Sequence, residues 1–108
     1  MLSGYRFLWV QVIFDLPVTT KKDRKGAAQF RHRLLDLGFQ MVQFSVYMKW
    51  VVGKEAAESL VTKIKPYFPE KGHIHILMIT DKQYESALTF FCQKKEKKKQ
   101  NPDQLELF

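Results

Sequence analysis

The chain has 108 residues, 45% of them apolar and 27% charged, the balance of one small folded domain and too apolar for a disordered chain. Its formal net charge is +7, from 18 basic and 11 acidic side chains, and a surplus of that size points toward polyanionic partners. A single cysteine, Cys92, excludes a disulfide framework and a multi-cysteine zinc site. The longest apolar run falls far short of the roughly 20 residues a membrane span needs, and no signal-peptide pattern precedes the first strand-like run, so a soluble cytoplasmic protein is expected.

Tyr5 to Phe14 (YRFLWVQVIF) is rich in β-branched and aromatic residues and predicts a strand. Both alternating sets, Arg6, Leu8, Val10, Val12, Phe14 and Tyr5, Phe7, Trp9, Gln11, Ile13, are mostly apolar. Such a strand belongs in the centre of a sheet, covered on both sides.

Thr20-Lys21-Lys22-Asp23 has the form of a capping box opening a helix. Ala27, Phe30, Leu34 and Leu37 then recur at helical spacing as the buried stripe, and Gly38 stands where a left-handed C-cap belongs. Residues 21–33 also hold Lys21, Lys22, Arg24, Lys25, Arg31 and Arg33 against one acid, Asp23. Phosphate backbones reward such clusters through counterion release, so these six are candidate nucleic-acid contacts; a solvated helix face is the alternative.

Phe39 to Val52 is again β-type but too long for one strand here, and it is split near Phe44–Ser45 into a hairpin. Gly53 precedes a second helix from Lys54 to about Pro66, with Ala57, Leu60, Val61 and Ile64 as its apolar face. His73 to Thr80 predicts the fourth strand, Asp81 to Ala87 a polar turn or helical turn, and Leu88 to Cys92 a short fifth strand. Residues 1–92 form the expected domain. Residues 93–108 read as a basic linker, with five lysines and one glutamate in residues 94–100, and a short alternating tail. In that tail Leu105, Leu107 and Phe108 are candidate partner contacts.

The order β-α-β-β-α-β plus an extra strand predicts an α+β, ferredoxin-like sandwich with both helices on one sheet face. That leaves a conflict. The first strand is apolar on both sides, and a monomer would expose a large hydrophobic patch. A two-fold dimer through the open sheet faces resolves it, with the fifth strand and tail available to the partner's sheet edge.

Asp15 directly follows the first apolar run and precedes Leu16-Pro17. It reads either as a loop-capping aspartate or as a hard oxygen ligand for Mg²⁺, which takes only one or two protein carboxylates and fills the rest with water and phosphate. A two-fold dimer with both Asp15 side chains near its axis would supply two carboxylates. His73 and His75 share a strand face but lack a third ligand at metal-binding spacing. His32 lies among the basic helix residues, and Cys92 reads as a packed thiol. Ser45 has no Gly-x-Ser-x-Gly elbow around it. The third strand, Ser45-Val46-Tyr47-Met48-Lys49-Trp50, lacks the aromatic signature of RNA-recognition motifs, so packing accounts for its aromatics more simply.

Ile13-Phe14-Asp15-Leu16-Pro17, Phe30-Arg31 with Leu34-Leu35, Gly38-Phe39, and Gln43-Phe44-Ser45-Val46-Tyr47 together resemble the CRISPR-associated Cas2 family, most closely versions that accompany type II systems. The resemblance covers roughly residues 5–92. It implies a ferredoxin-like homodimer in which Asp15 of each chain flanks a shared cleft and binds Mg²⁺. It implies metal-dependent cleavage of single-stranded RNA or double-stranded DNA, with Asp15 as the catalytic residue. It also implies the bridging of two integrase dimers while an incoming duplex is bound. One departure is Phe14, where many members carry Tyr. Bridging needs a rigid basic dimer and no sequence readout; hydrolysis needs a metal and an aligned water. The charge clusters favour bridging as the main role. A toxin-type metal-dependent ribonuclease on a similar dimer and a non-catalytic RNA-binding module are the alternatives.

Overall fold

Alternation along the first strand decides how this chain packs. In the computed structural model, which describes residues 7–92, β1 (Phe7–Asp15) buries Leu8, Val10, Val12 and Phe14 on one face and keeps Phe7, Trp9, Gln11 and Ile13 half-buried on the other. It is followed by α1 (Lys21–Asp36), β2 (Gln40–Gln43), β3 (Val46–Val52), α2 (Lys54–Ile64), a 3-10 turn at Lys65–Tyr67, β4 (His73–Thr80) and the short α3 (Asp81–Glu85). The sheet order is β2-β3-β1-β4 with every pairing antiparallel. This is the ferredoxin-like α+β fold, with β1 in the interior of the sheet.

Local chemistry explains the element ends. The Thr20 hydroxyl accepts from the Asp23 N–H at 3.0 Å and the Asp23 carboxylate from the Thr20 N–H at 3.3 Å, completing the box expected at the start of α1. At its other end Gly38 takes φ +96°. The Gly38 and Phe39 N–H groups return to the Leu35 and Leu34 carbonyls, both at 3.0 Å, and the Phe39 and Leu34 side chains meet in the core. The hairpin turns at Phe44–Ser45, as expected. Ser45 adopts φ +69° and its carbonyl accepts the Phe14 N–H at 3.1 Å, which ties the hairpin to β1. Ser45 thus serves as a backbone bend.

The core lies between the sheet and the two long helices. Phe30, Leu34 and Ile64 are fully buried from the helix side, against Val10 and Val12 from β1. Each such side chain contributes about 1.5–3 kcal/mol by leaving water. Phe14 joins them, stacked on Tyr47 at 5.7 Å and edge-on to Phe30 at 5.2 Å.

Among the described residues the opposite sheet face carries no long helix. Besides the half-buried set of β1, its cross-strand partners Trp50, Val52 and Leu77 stand exposed. At one end α3 folds against it: Trp9 stacks on Tyr84 at 4.5 Å, and its Nε1–H donates to the Asp81 carboxylate at 3.3 Å. A capping box between Thr80 and Gln83 starts α3, so this stretch takes the helical form of the turn expected for it.

The fifth strand expected over Leu88–Cys92 is not formed. After α3 these residues pair with no strand, and Leu88, Phe90 and Phe91 are 82%, 77% and 94% exposed. A strand requires an edge to bond to, and the chain leaves the sheet here instead of returning along β4. The tail contacts expected at Leu105, Leu107 and Phe108 lie outside the described residues, as do Tyr5 and Arg6 of the first run. Among the described residues no helix is long and apolar enough to cross a membrane.

Candidate active site

Asp15 is the last residue of β1, and alternation places its side chain on the open face with Phe7, Trp9, Gln11 and Ile13. Its carboxylate is exposed and has no hydrogen bond or ion pair among the described residues. That argues against the loop-capping alternative, in which a side-chain oxygen would accept a nearby backbone N–H. A carboxylate at a strand end with no internal partner is free to take a ligand.

Two more side chains share this corner. β4 pairs with β1 in a register that sets His73 opposite Asp15 and His75 opposite Ile13, so both lie on the open face, with His73 the direct cross-strand neighbour of Asp15. Both histidines are exposed. Alternation alone puts His73 and His75 on one face; their nearness to Asp15 follows from the register, which the sequence does not announce. Phe14 points the other way, into the core under the helices, so its ring contributes packing and no chemistry at Asp15.

The donor that one chain supplies at this corner is of the kind magnesium takes. Asp15 offers hard carboxylate oxygen, the donor Mg²⁺ prefers. Among the described residues, however, no three His, Cys, Asp or Glu side chains are placed to hold a metal ion together. A hydrated cation that takes one protein carboxylate and fills the rest with water and phosphate suits this donor; a closed all-protein cage does not.

The basic residues of α1 divide by their place around the helix. At 100° per residue, Lys21 and Lys25 fall opposite the buried stripe of Ala27, Phe30 and Leu34. Both are exposed. Arg24 donates to the Val18 and Thr19 carbonyls at 3.1 and 3.2 Å, bracing the loop that joins β1 to α1. Lys22 makes a loose pair with Glu70 at 3.8 Å, with both side chains more than 80% exposed, an arrangement worth little. Arg33 lies over the Tyr67 ring, 4.6 Å from its centroid, and its Nε is buried without a hydrogen-bond partner. Arg31 is half-buried on the opposite flank. The six are therefore not one uniform patch: Lys21 and Lys25 are unencumbered, while Arg24 and Arg33 serve the fold.

Because the loop after Asp15 is short, the basic start of α1 lies at the same end of the sheet as the carboxylate. Between that loop and the one entering β4 runs an open groove, lined by apolar Leu16, Pro17 and Phe68 and by Lys22, Lys25 and Lys71 together with the acids Asp23 and Glu70. No sequence pattern singles out Lys71. It stands alone between Glu70 and Gly72, and only folding brings it next to α1.

The fold and this corner define a class: a small ferredoxin-like protein with an exposed carboxylate at the end of an interior strand, a lysine-rich helix start at the same end of the sheet and an apolar sheet face that the described residues cover only in part. The family model described as CRISPR associated protein Cas2 matches residues 8–87. Two relatives, each named CRISPR-associated endoribonuclease Cas2, come from Paracidovorax avenae, 45% identical over 100% of both chains, and Flavobacterium psychrophilum, 44% identical over 99% of this chain and 93% of the relative. A third of the same name, from Parvibaculum lavamentivorans, is 40% identical over 94% of this chain and 100% of its own. The chain belongs to the Cas2 family.

Proposed function

We propose that this protein is a cytoplasmic CRISPR adaptation subunit: a homodimer, closed through its open sheet faces, that binds double-stranded DNA and bridges integrase subunits during spacer acquisition. Its chemical activity is Mg²⁺-dependent cleavage of a phosphodiester in single-stranded RNA or double-stranded DNA. The names of its relatives support the nuclease activity. The observation that carries the reading is Asp15, a solvent-facing carboxylate without an internal partner, at the edge of a sheet face too apolar to stay bare.

Two copies meeting on that face would bring two Asp15 carboxylates toward one hydrated cation. Asp15 would hold the Mg²⁺, which would supply polarisation of the phosphoryl group and activation of a water there. Lys21 and Lys25, with Lys22 and Arg31, take the phosphates of the bound strand without reading bases. Arg24 and Arg33 hold the loop and the helix flank from which those contacts are made. Leu105, Leu107 and Phe108 are the proposed contact to the integrase, tested by pull-down after deletion of residues 101–108.

The decisive experiment compares wild type with Asp15→Asn for binding and cleavage of duplex DNA and single-stranded RNA, with and without Mg²⁺. Cleavage should vanish in the variant while binding persists. A variant that cuts as fast as wild type in Mg²⁺ removes Asp15 from the chemistry.

A further inference from the structure

We infer that Gly72 is a positioning residue for Asp15: its missing side chain lets the entry to β4 close against the backbone of Asp15 and so sets where the carboxylate stands. The inference rests on the reading of Asp15 as the magnesium ligand.

Gly72 immediately precedes β4 and takes φ +108°, a conformation that L side chains rarely adopt. A Cβ built there would lie 2.7 Å from the Asp15 carbonyl oxygen, 2.8 Å from Leu16 Cδ2 and 3.2 Å from Leu16 Cα. Two of these three neighbours are backbone, which cannot swing aside as a flexible side-chain tip can. The methyl would stand about 0.7 Å inside ordinary contact with the Asp15 carbonyl, so the entry to β4 and the end of β1 could no longer close to their present distance. The last rung of the β1–β4 ladder, Asp15 with His73, adjoins this contact, so a change in its spacing would fall at the open-face corner. A displacement near 1 Å can cost about 100-fold in a positioned reaction.

The fold supplies its own control. Gly53, before α2, has φ +93°, and a Cβ there would meet nothing within 4 Å. Gly53→Ala therefore carries the backbone strain without the collision, far from Asp15.

The test measures Mn²⁺ binding by electron paramagnetic resonance, alongside duplex binding, on folded Gly72→Ala, Gly53→Ala and Asp15→Asn proteins well below their melting temperatures. Gly72→Ala should weaken Mn²⁺ binding at least about 10-fold per folded molecule and leave duplex affinity within about 2-fold. Gly53→Ala should match wild type in both. If Gly72→Ala does not fold, Gly72→Asn replaces it, since Asn tolerates positive φ better and keeps the same Cβ collision. Mn²⁺ binding equal to that of Gly53→Ala in the folded Gly72 variant overturns the positioning role while Asp15→Asn still loses the metal. Unaltered Mn²⁺ binding in Asp15→Asn overturns the magnesium site itself.

Discussion

Asp15 and His73 form the last rung of the β1–β4 ladder, side by side on the sheet face that bears no long helix. The chain thereby ends its interior strand with a carboxylate that has no partner among the described residues, at the rim of an apolar surface. Its exposed position leaves the carboxylate oxygens open to a ligand from outside the chain. This placement makes the two proposed activities separable.

Asp15→Asn keeps the size of the side chain and removes its charge. Spacer integration should persist in this variant although Mg²⁺-dependent cleavage is lost, because bridging draws on shape and basic surface. An integration assay with purified integrase checks this, and loss of integration would place Asp15 in the adaptation step itself.

Dimer formation is tested on the open face away from Asp15. Leu77, 44% exposed and paired with Gln11 across β1 and β4, is a suitable site. Leu77→Glu should convert a dimer at micromolar concentration into a folded monomer, because a charge would have to be desolvated in an apolar interface. Sedimentation equilibrium reads the result; a wild-type monomer would remove the shared site.

Among the basic residues, the structure predicts unequal roles. Lys21→Ala with Lys25→Ala should weaken duplex binding about equally across sequences and flatten the slope of log affinity against log salt by up to about 1.8, near 0.9 for each phosphate that is no longer neutralised. A salt titration by fluorescence anisotropy measures it, and an unchanged slope would mean that another surface carries the DNA.

Arg33→Ala should behave differently. Its guanidinium is held over Tyr67, so its removal should cost about 1 kcal/mol of stability through poorer packing and leave the salt slope almost unaltered. Chemical denaturation alongside the same salt titration separates the two effects.

Phe30 anchors α1 to the sheet with no exposed surface, in contact with the rings of Phe14 and Phe68. Phe30→Ala should lower stability by about 3–5 kcal/mol, visible as a large fall in the denaturant midpoint. A drop of under about 1 kcal/mol would show that this core can collapse around the cavity.

Much of the molecule follows from local sequence patterns, because local forces write them. Thr20 with Asp23, the spacing of Ala27, Phe30 and Leu34, Gly38, and the break at Phe44–Ser45 each express a preference settled within a few residues, and the elements form where those preferences lie. The double apolar character of β1 likewise announces an interior strand with one face left over. Tertiary structure decided the rest, since those contacts join residues distant along the chain. The register of β1 with β4 set His73 beside Asp15, Tyr67 claimed Arg33, the Val18 and Thr19 carbonyls claimed Arg24, and the approach of Asp15 made Gly72 more than a turn glycine. The segment Leu88–Cys92 shows the same limit in reverse: its composition suits a strand, but a strand is completed by a neighbouring edge, and composition cannot supply one.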